Sequence, residues 1–157
     1  MTDARFEDGA EAPLRLIARD AEGLAVIAAL VQDAVLPAVE MRYARDRRRF
    51  AIFLNRFRWE DRDAAEREKR PYERAGALLV IDEVRAVRTQ GIQREADTVL
   101  SLLDITFDGA EDGPGRVTLT FAGDGALALE VEALDVTLRD ATRPWRAPSG
   151  HAPDHGA

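Results

Sequence analysis

The chain has 157 residues, a formal net charge of −7 and no cysteine. Disulfides, thiolate catalysis and cysteine-based zinc sites are therefore excluded, while a chain of this length can bury a core without covalent staples. An apolar fraction of 46% beside 32% charged residues fits one globular domain.

The charge is unevenly spread. Residues 42–74 hold 12 basic and 7 acidic side chains, so that segment is +5 and the remainder is −12. Such a split can steer a charged partner, or the two parts can simply attract each other on one surface. The start of the chain, "MTDARFEDGAEAP", has no apolar stretch of the signal-peptide kind, and the longest apolar run, Leu24 to Val31, is too short to span a bilayer. A cytoplasmic location and no membrane association are expected.

Residues 1–12 are polar and acidic and are expected to form a loose arm, followed by a single α+β domain over residues 13–141. "LRLIAR" (Leu14 to Arg19) reads as a strand. Asp20 is placed to cap a helix, because its carboxylate can accept from free first-turn amides. Leu24, Ile27, Ala28, Val31 and Val35 then recur at helical spacing, which predicts a helix from about Ala21 to Leu36, stopped by Pro37. After Pro37 the period becomes two. "AVEMRYA" (Ala38 to Ala44) and "RFAIFLNRFRW" (Arg49 to Trp59) predict a hairpin around a polar turn. Taken by apolarity, Phe53, Phe57 and Trp59 are expected to face the core and Arg56 and Arg58 to face solvent.

"EDRDAAEREKRPYER" (Glu60 to Arg74) has no apolar stripe and reads as a charged loop, with a frayed helical turn within it as the alternative. "GALLVIDEVRAVRTQGI" (Gly76 to Ile92) changes apolar parity at Asp82–Glu83, giving two strands or one with a sharp kink. Further strands are expected over Thr98 to Gly109, around Val117 to Phe121 and around Leu127 to Val131, separated by "AEDGPG" and "GDG" turns. A second parity change precedes Leu134, Val136 and Leu138. It is read as a bulge near Ala133, with a short C-terminal helix as the alternative. Residues 142–157, rich in Pro, Gly and Ala, are expected to be a flexible tail from which Trp145 can dock on the body. The sum is a predominantly antiparallel, barrel-like sheet with one N-terminal helix packed on it.

Several segments together, "LRLIARDAEGLAVIAALVQDAVL", "RRRFAIFLNRFRWED", "VRAVRTQGI", "VLSLLDITF" and "GALALEVEALDVTL", resemble a family of small bacterial proteins known as domain of unknown function 2948. The resemblance covers roughly residues 14–140, and "VQDAVL" and "FLNRFRWE" are its most specific parts. It implies a bacterial context and brings no activity, cofactor or catalytic residue. "LLVIDEVRAVRTQGI" is also similar to a segment common in pleckstrin-homology-like barrels, a fold-level analogy that leaves function open.

No cofactor or metal site is expected. The two histidines, His151 and His155, lie in the tail, where "HAPDH" is surrounded by Pro and Gly rather than a held ligand shell. No glycine pattern of the phosphate-cradling kind occurs. Carboxylate pairs (Glu60 with Asp61, Asp82 with Glu83, Glu130 with Glu132) keep a carboxylate-only enzyme open. Asn55 lies among apolar neighbours and is expected to find a structural hydrogen-bond partner. The expected function is a non-enzymatic interaction or regulatory domain with a protein partner or a second copy of itself. Its candidate interaction surface is Arg42, Arg47, Arg48, Arg56 and Arg58. RNA or another anionic ligand, bound through the arginines and aromatics of segment 42–59, is the alternative.

Overall fold

The computed structural model describes residues 13–93, 95, 97–147 and 153. The expected arm at residues 1–12 and both histidines lie outside them, as does the tail beyond Ala147 apart from Pro153. Among the described residues eleven strands form: β1 (Arg15–Ala18), β2 (Val35–Pro37), β3 (Met41–Ala44), β4 (Arg49–Phe57), β5 (Glu73–Ile81), β6 (Val84–Gln90), β7 (Val99–Gly109), β8 (Gly115–Phe121), β9 (Ala126–Val131), β10 (Val136–Asp140) and β11 (Trp145–Arg146). They follow the order β1-β10-β5-β4-β2-β7-β8-β9-β6, with β3 also on β4 and β11 also on β5. All neighbouring pairs are antiparallel. The path runs from β1 to β6 without returning, so the expected barrel-like sheet is open, and the pleckstrin-homology-like expectation lacks the closure it rests on.

Two half-sheets meet at β2, which bonds to both β4 and β7. The chain itself passes from one half to the other at Asp82–Glu83, the parity break visible in sequence. Glu83 takes a left-handed φ of 61° there. The corner is tied by Asp82 N–H to the Asp135 carbonyl (2.9 Å), Val84 N–H to the Arg48 carbonyl (2.8 Å) and Glu132 N–H to the Glu83 carbonyl (3.0 Å). Ile52, Leu54, Leu79 and Leu138 from one half pack against Leu102, Leu119, Leu127 and Leu129 from the other in one buried cluster. Burial of this apolar surface is the main favourable term in folding.

Helix α1 spans Ala21–Leu30, with the Asp20 carboxylate accepting from Gly23 N–H at 2.7 Å. It buries Leu24, Ile27 and Ala28 and ends well before the expected Leu36. Asp33 turns left-handed (φ 67°), and Val35–Pro37 extend into β2. Val35 fits both a helical stripe and a strand, and the sheet wins because its backbone pairs on both sides.

The expectation of one helix and a charged loop at Glu60 to Arg74 is also corrected. A 3-10 turn at Trp59–Asp61 leads into α2 (Arg62–Glu68). Ala65 is its buried contact, Arg62 and Glu66 pair one turn apart at 3.6 Å, and Lys69 ends it in a left-handed conformation. Nor does a bulge or a helix explain Leu134 to Leu138. Strand β9 stops at Val131, and the chain crosses to the other half-sheet, where β10 pairs with β1 and β5. Trp145 docks through β11, opposite Arg74. No helix among the described residues is long and apolar enough to cross a membrane.

Candidate functional site

Strand β4 positions the charged site. Phe50, Ile52 and Leu54 point into the core, and the same parity carries Arg56 inward, where it is 0% exposed; Arg58 beyond the strand end is 2% exposed. The expected solvent-facing pair is thus buried. The reason is period-two geometry: an unbroken strand cannot turn Arg56 away from the side that Ile52 and Leu54 occupy. Conversely Phe53 is 40% exposed, while Phe57 is buried beneath Trp59 and Tyr72, at ring separations of 4.7 and 5.6 Å. Trp59 is half-buried, its indole N–H donating to the Gln32 carbonyl at 3.0 Å.

Arg56 is the hub of a paired network. Its Nε and Nη2 donate to both Asp140 oxygens at 2.8 and 2.9 Å; Nη1 and Nη2 donate to both Glu60 oxygens at 2.8 and 2.7 Å; Nη1 also reaches the Phe57 carbonyl at 3.4 Å. Arg58 donates to Glu73 and lies 3.6 Å from Glu60 and 3.8 Å from Asp61. Arg70, after α2, clamps Asp61 with two bonds of 2.7 Å. Burial alone pulls the Arg56 pKa down, but the Glu60 and Asp140 bonds outweigh it and the net shift is upward. The two bonds from Arg70 hold Asp61 below the usual carboxylate range, against the opposing effect of burial.

Beside the network opens a cleft of about 540 Å³, lined by Pro13, Arg58, Glu73, Asp140, Thr142 and Arg143 among others. Its chemistry is limited by the pairing. Arg58 in its wall is already held by Glu73, whereas Arg143 forms no ion pair among the described residues. The two carboxylates of the cleft are both paired, Asp140 with Arg56 and Glu73 with Arg58.

The remaining arginines of the candidate surface lie elsewhere. Arg42 is exposed on β3, Arg47 is exposed in the turn before β4, and Arg48 in the same turn pairs with Glu132 at 3.0 Å. The five residues therefore do not make one surface. Asn55 departs from expectation too, since its Oδ1 is buried and accepts no hydrogen bond.

A second feature was not anticipated from sequence. On the first half-sheet the side away from the core carries Ile17, Leu78, Val80, Phe53 and Val35, and Val99, opposite Pro37 at the start of β7, extends it past the junction at β2. Ile17 is 58% exposed and Val99 66%. The Phe53 ring lies over Gly76, where a Cβ would come within 2.9 Å of Phe53 Cζ and of Thr142 Cγ2. Around this apolar strip stand Arg42, opposite Ala51, and Arg15 directly opposite Arg139. None of these three arginines forms an ion pair among the described residues. The signal for this outer face was present: Ile17, Phe53 and Val99 each have the parity opposite to the buried residues beside them, Ala18, Ile52 and Leu54, and Leu100.

Comparison with family models gives a match to "Protein of unknown function (DUF2948)" over residues 14–155. The chain belongs to the DUF2948 family. Within this DUF2948 chain, the "FLNRFRWE" segment is the one that builds the buried arginine network. No curated protein and no solved structure matches the chain.

Proposed function

We propose that this DUF2948 chain is a non-enzymatic, cytoplasmic interaction domain that docks a protein partner on the outer face of its first half-sheet. The observation that carries the reading is the placement of Phe53, Ile17 and Val99, all exposed, on one sheet face among unpaired arginines. An apolar strip rimmed by charge is what a docking surface presents to water when its partner is away. The buried charges support the same choice from the other side, because Arg56 is committed to Asp140 and Asp61 to Arg70, and they offer little to a substrate.

The test compares wild type with Phe53→Asp as bait in a cell extract at low salt, with and without nuclease. The reading expects a protein retained in stoichiometric amount, insensitive to nuclease, and lost with Phe53→Asp while the melting temperature stays within a few degrees. Exposed Arg85 lies on β6, outside this face, and Arg85→Ser should retain the partner. Retention abolished by nuclease would favour the RNA alternative. Equal retention by wild type and Phe53→Asp would remove the outer face from consideration.

A further inference from the structure

The outer face is basic, yet the chain as a whole carries −7. The excess negative charge is concentrated on identifiable elements. Glu22 on α1, Asp104 and Asp108 on β7, and Glu111 and Asp112 in the turn after it are all exposed, and none forms an ion pair among the described residues. Apart from Asp108 these acids line two recesses, the second of which also includes Asp20 and Arg19. One, of about 860 Å³, runs between α1 and β7 over Ala25, Ala28, Ala29 and Leu103; the other, of about 410 Å³, lies between the start of α1 and the Glu111 turn. Ala21 and Phe107 line both, so the two recesses are neighbours. Short alanine side chains on this side of α1 leave the space open.

We propose that the occupant of the outer face is a second copy of this chain, presenting its acidic, alanine-lined end. The inference rests on the interaction-domain reading and names its partner. Three features support it. The charges are complementary: Arg15, Arg139 and Arg42 on one surface, Glu22, Asp104, Glu111 and Asp112 on the other. Exposed Phe53 and Ile17 on one surface offer apolar groups that the alanine-lined groove on the other has room to receive. The register adds a third argument. Arg15 and Arg139 are direct cross-strand neighbours, a like-charge pairing that disfavours the free strand pair and is relieved when carboxylates approach. Contact between two outer faces would instead set these arginines against each other. The association is therefore heterologous, one face to the opposite surface of the next copy, and can continue into short chains.

Sedimentation velocity over a concentration series, at about 20 mM and about 300 mM salt, tests this, because surface charges are screened within roughly 8 Å or less at the higher value. Wild type should associate at low salt, and its apparent dissociation constant should rise at least about tenfold at high salt. Arg15→Ser with Arg139→Ser damages the basic face, and Glu111→Gln with Asp112→Asn damages the acidic end; each double variant alone should stay more monomeric than wild type. Mixed in equal amounts they should form a dimer that grows no further, since only one intact face and one intact end remain between them. That outcome also shows that both variants fold. A wild type that is monomeric throughout, variants that associate like wild type, or association strengthened by salt would each overturn the second-copy assignment. A monomeric wild type that still retains a foreign protein through Phe53 would leave the interaction-domain reading standing, so the two fail separately.

Discussion

Replacing Arg56 with methionine should strongly destabilise the chain. The side chain is fully buried, and it satisfies Asp140 with bonds of 2.8 and 2.9 Å and Glu60 with bonds of 2.8 and 2.7 Å. Removing it leaves two carboxylates facing the same space. Asp140, 3% exposed at its side chain, has little access to water for compensation. Breaking a buried pair by deleting one partner costs about 3–5 kcal/mol. With a urea slope of about 2 kcal/mol/M for a domain of this size, the midpoint should fall by roughly 1.5–2.5 M. Tryptophan fluorescence can follow the transition, with far-ultraviolet circular dichroism as a second probe. Removing the charge of the partners as well, with Arg56→Met, Glu60→Gln and Asp140→Asn together, should recover part of the loss, because the network's Coulombic gain is offset by the cost of desolvating its members. Arg56→Lys should fall between, since an ammonium cannot bridge two carboxylates with parallel bonds. A midpoint shift under about 0.5 M for Arg56→Met, the size expected of an exposed ion pair, would refute the placement of Arg56.

Asp61 carries a pH dependence whose sign follows from its lowered pKa. Its stabilising contribution is complete above the unfolded value of about 3.9 and is lost as pH falls through the lower folded value. The stability gap between wild type and Asp61→Asn should therefore be constant from neutral pH to about 5 and shrink in stronger acid, and a gap that widens on acidification would contradict the Arg70 clamp. Ile27→Ala, at a residue 1% exposed, should cost about 2–5 kcal/mol by equilibrium denaturation, and an unchanged midpoint would dislodge α1 from the core. Gly76→Ala should cost about 1–3 kcal/mol by pressing on Phe53 and Thr142, and combining it with Phe53→Ala should give less than the sum of the two single losses.

Much of this architecture could be read from local pattern. The Asp20 cap, the hairpin from Met41 to Phe57, the break at Asp82–Glu83 and the glycine-containing turns all depend on neighbours in sequence. What escaped depends on distant partners. Val31 and Val35 share a helical spacing, but β4 and β7 claim Val35 for the sheet. The crossing from β9 to β10 mimics a bulge in sequence, because a parity change looks the same whether the strand kinks or leaves for another sheet. For Arg56 the signal was legible and overridden: the parity of Phe50, Ile52 and Leu54 pointed inward, while hydrophobicity argued for Phe53. Burial of a guanidinium becomes tolerable only with Asp140, whose proximity no local window reveals. The scattered positions of Arg42, Arg47 and Arg48 follow likewise from the β3–β4 hairpin placing a strand residue and a turn on different parts of the surface.

The pairing of β1 with β10 also bears on synthesis. Arg15 leaves the ribosome long before its strand partner Arg139 is made. Strand β10 is also the neighbour that lies between β1 and β5. Until it arrives, the nascent chain must hold one edge of β5 open and leave β1 without a ladder, and Arg56 waits for Asp140 on that same strand. Such long sequence separations slow folding and lengthen the interval in which strand edges are exposed. Chains truncated before Val136 should therefore be held by chaperones or degraded, whereas chains that include β10 can insert it and close the half-sheet around its buried arginine.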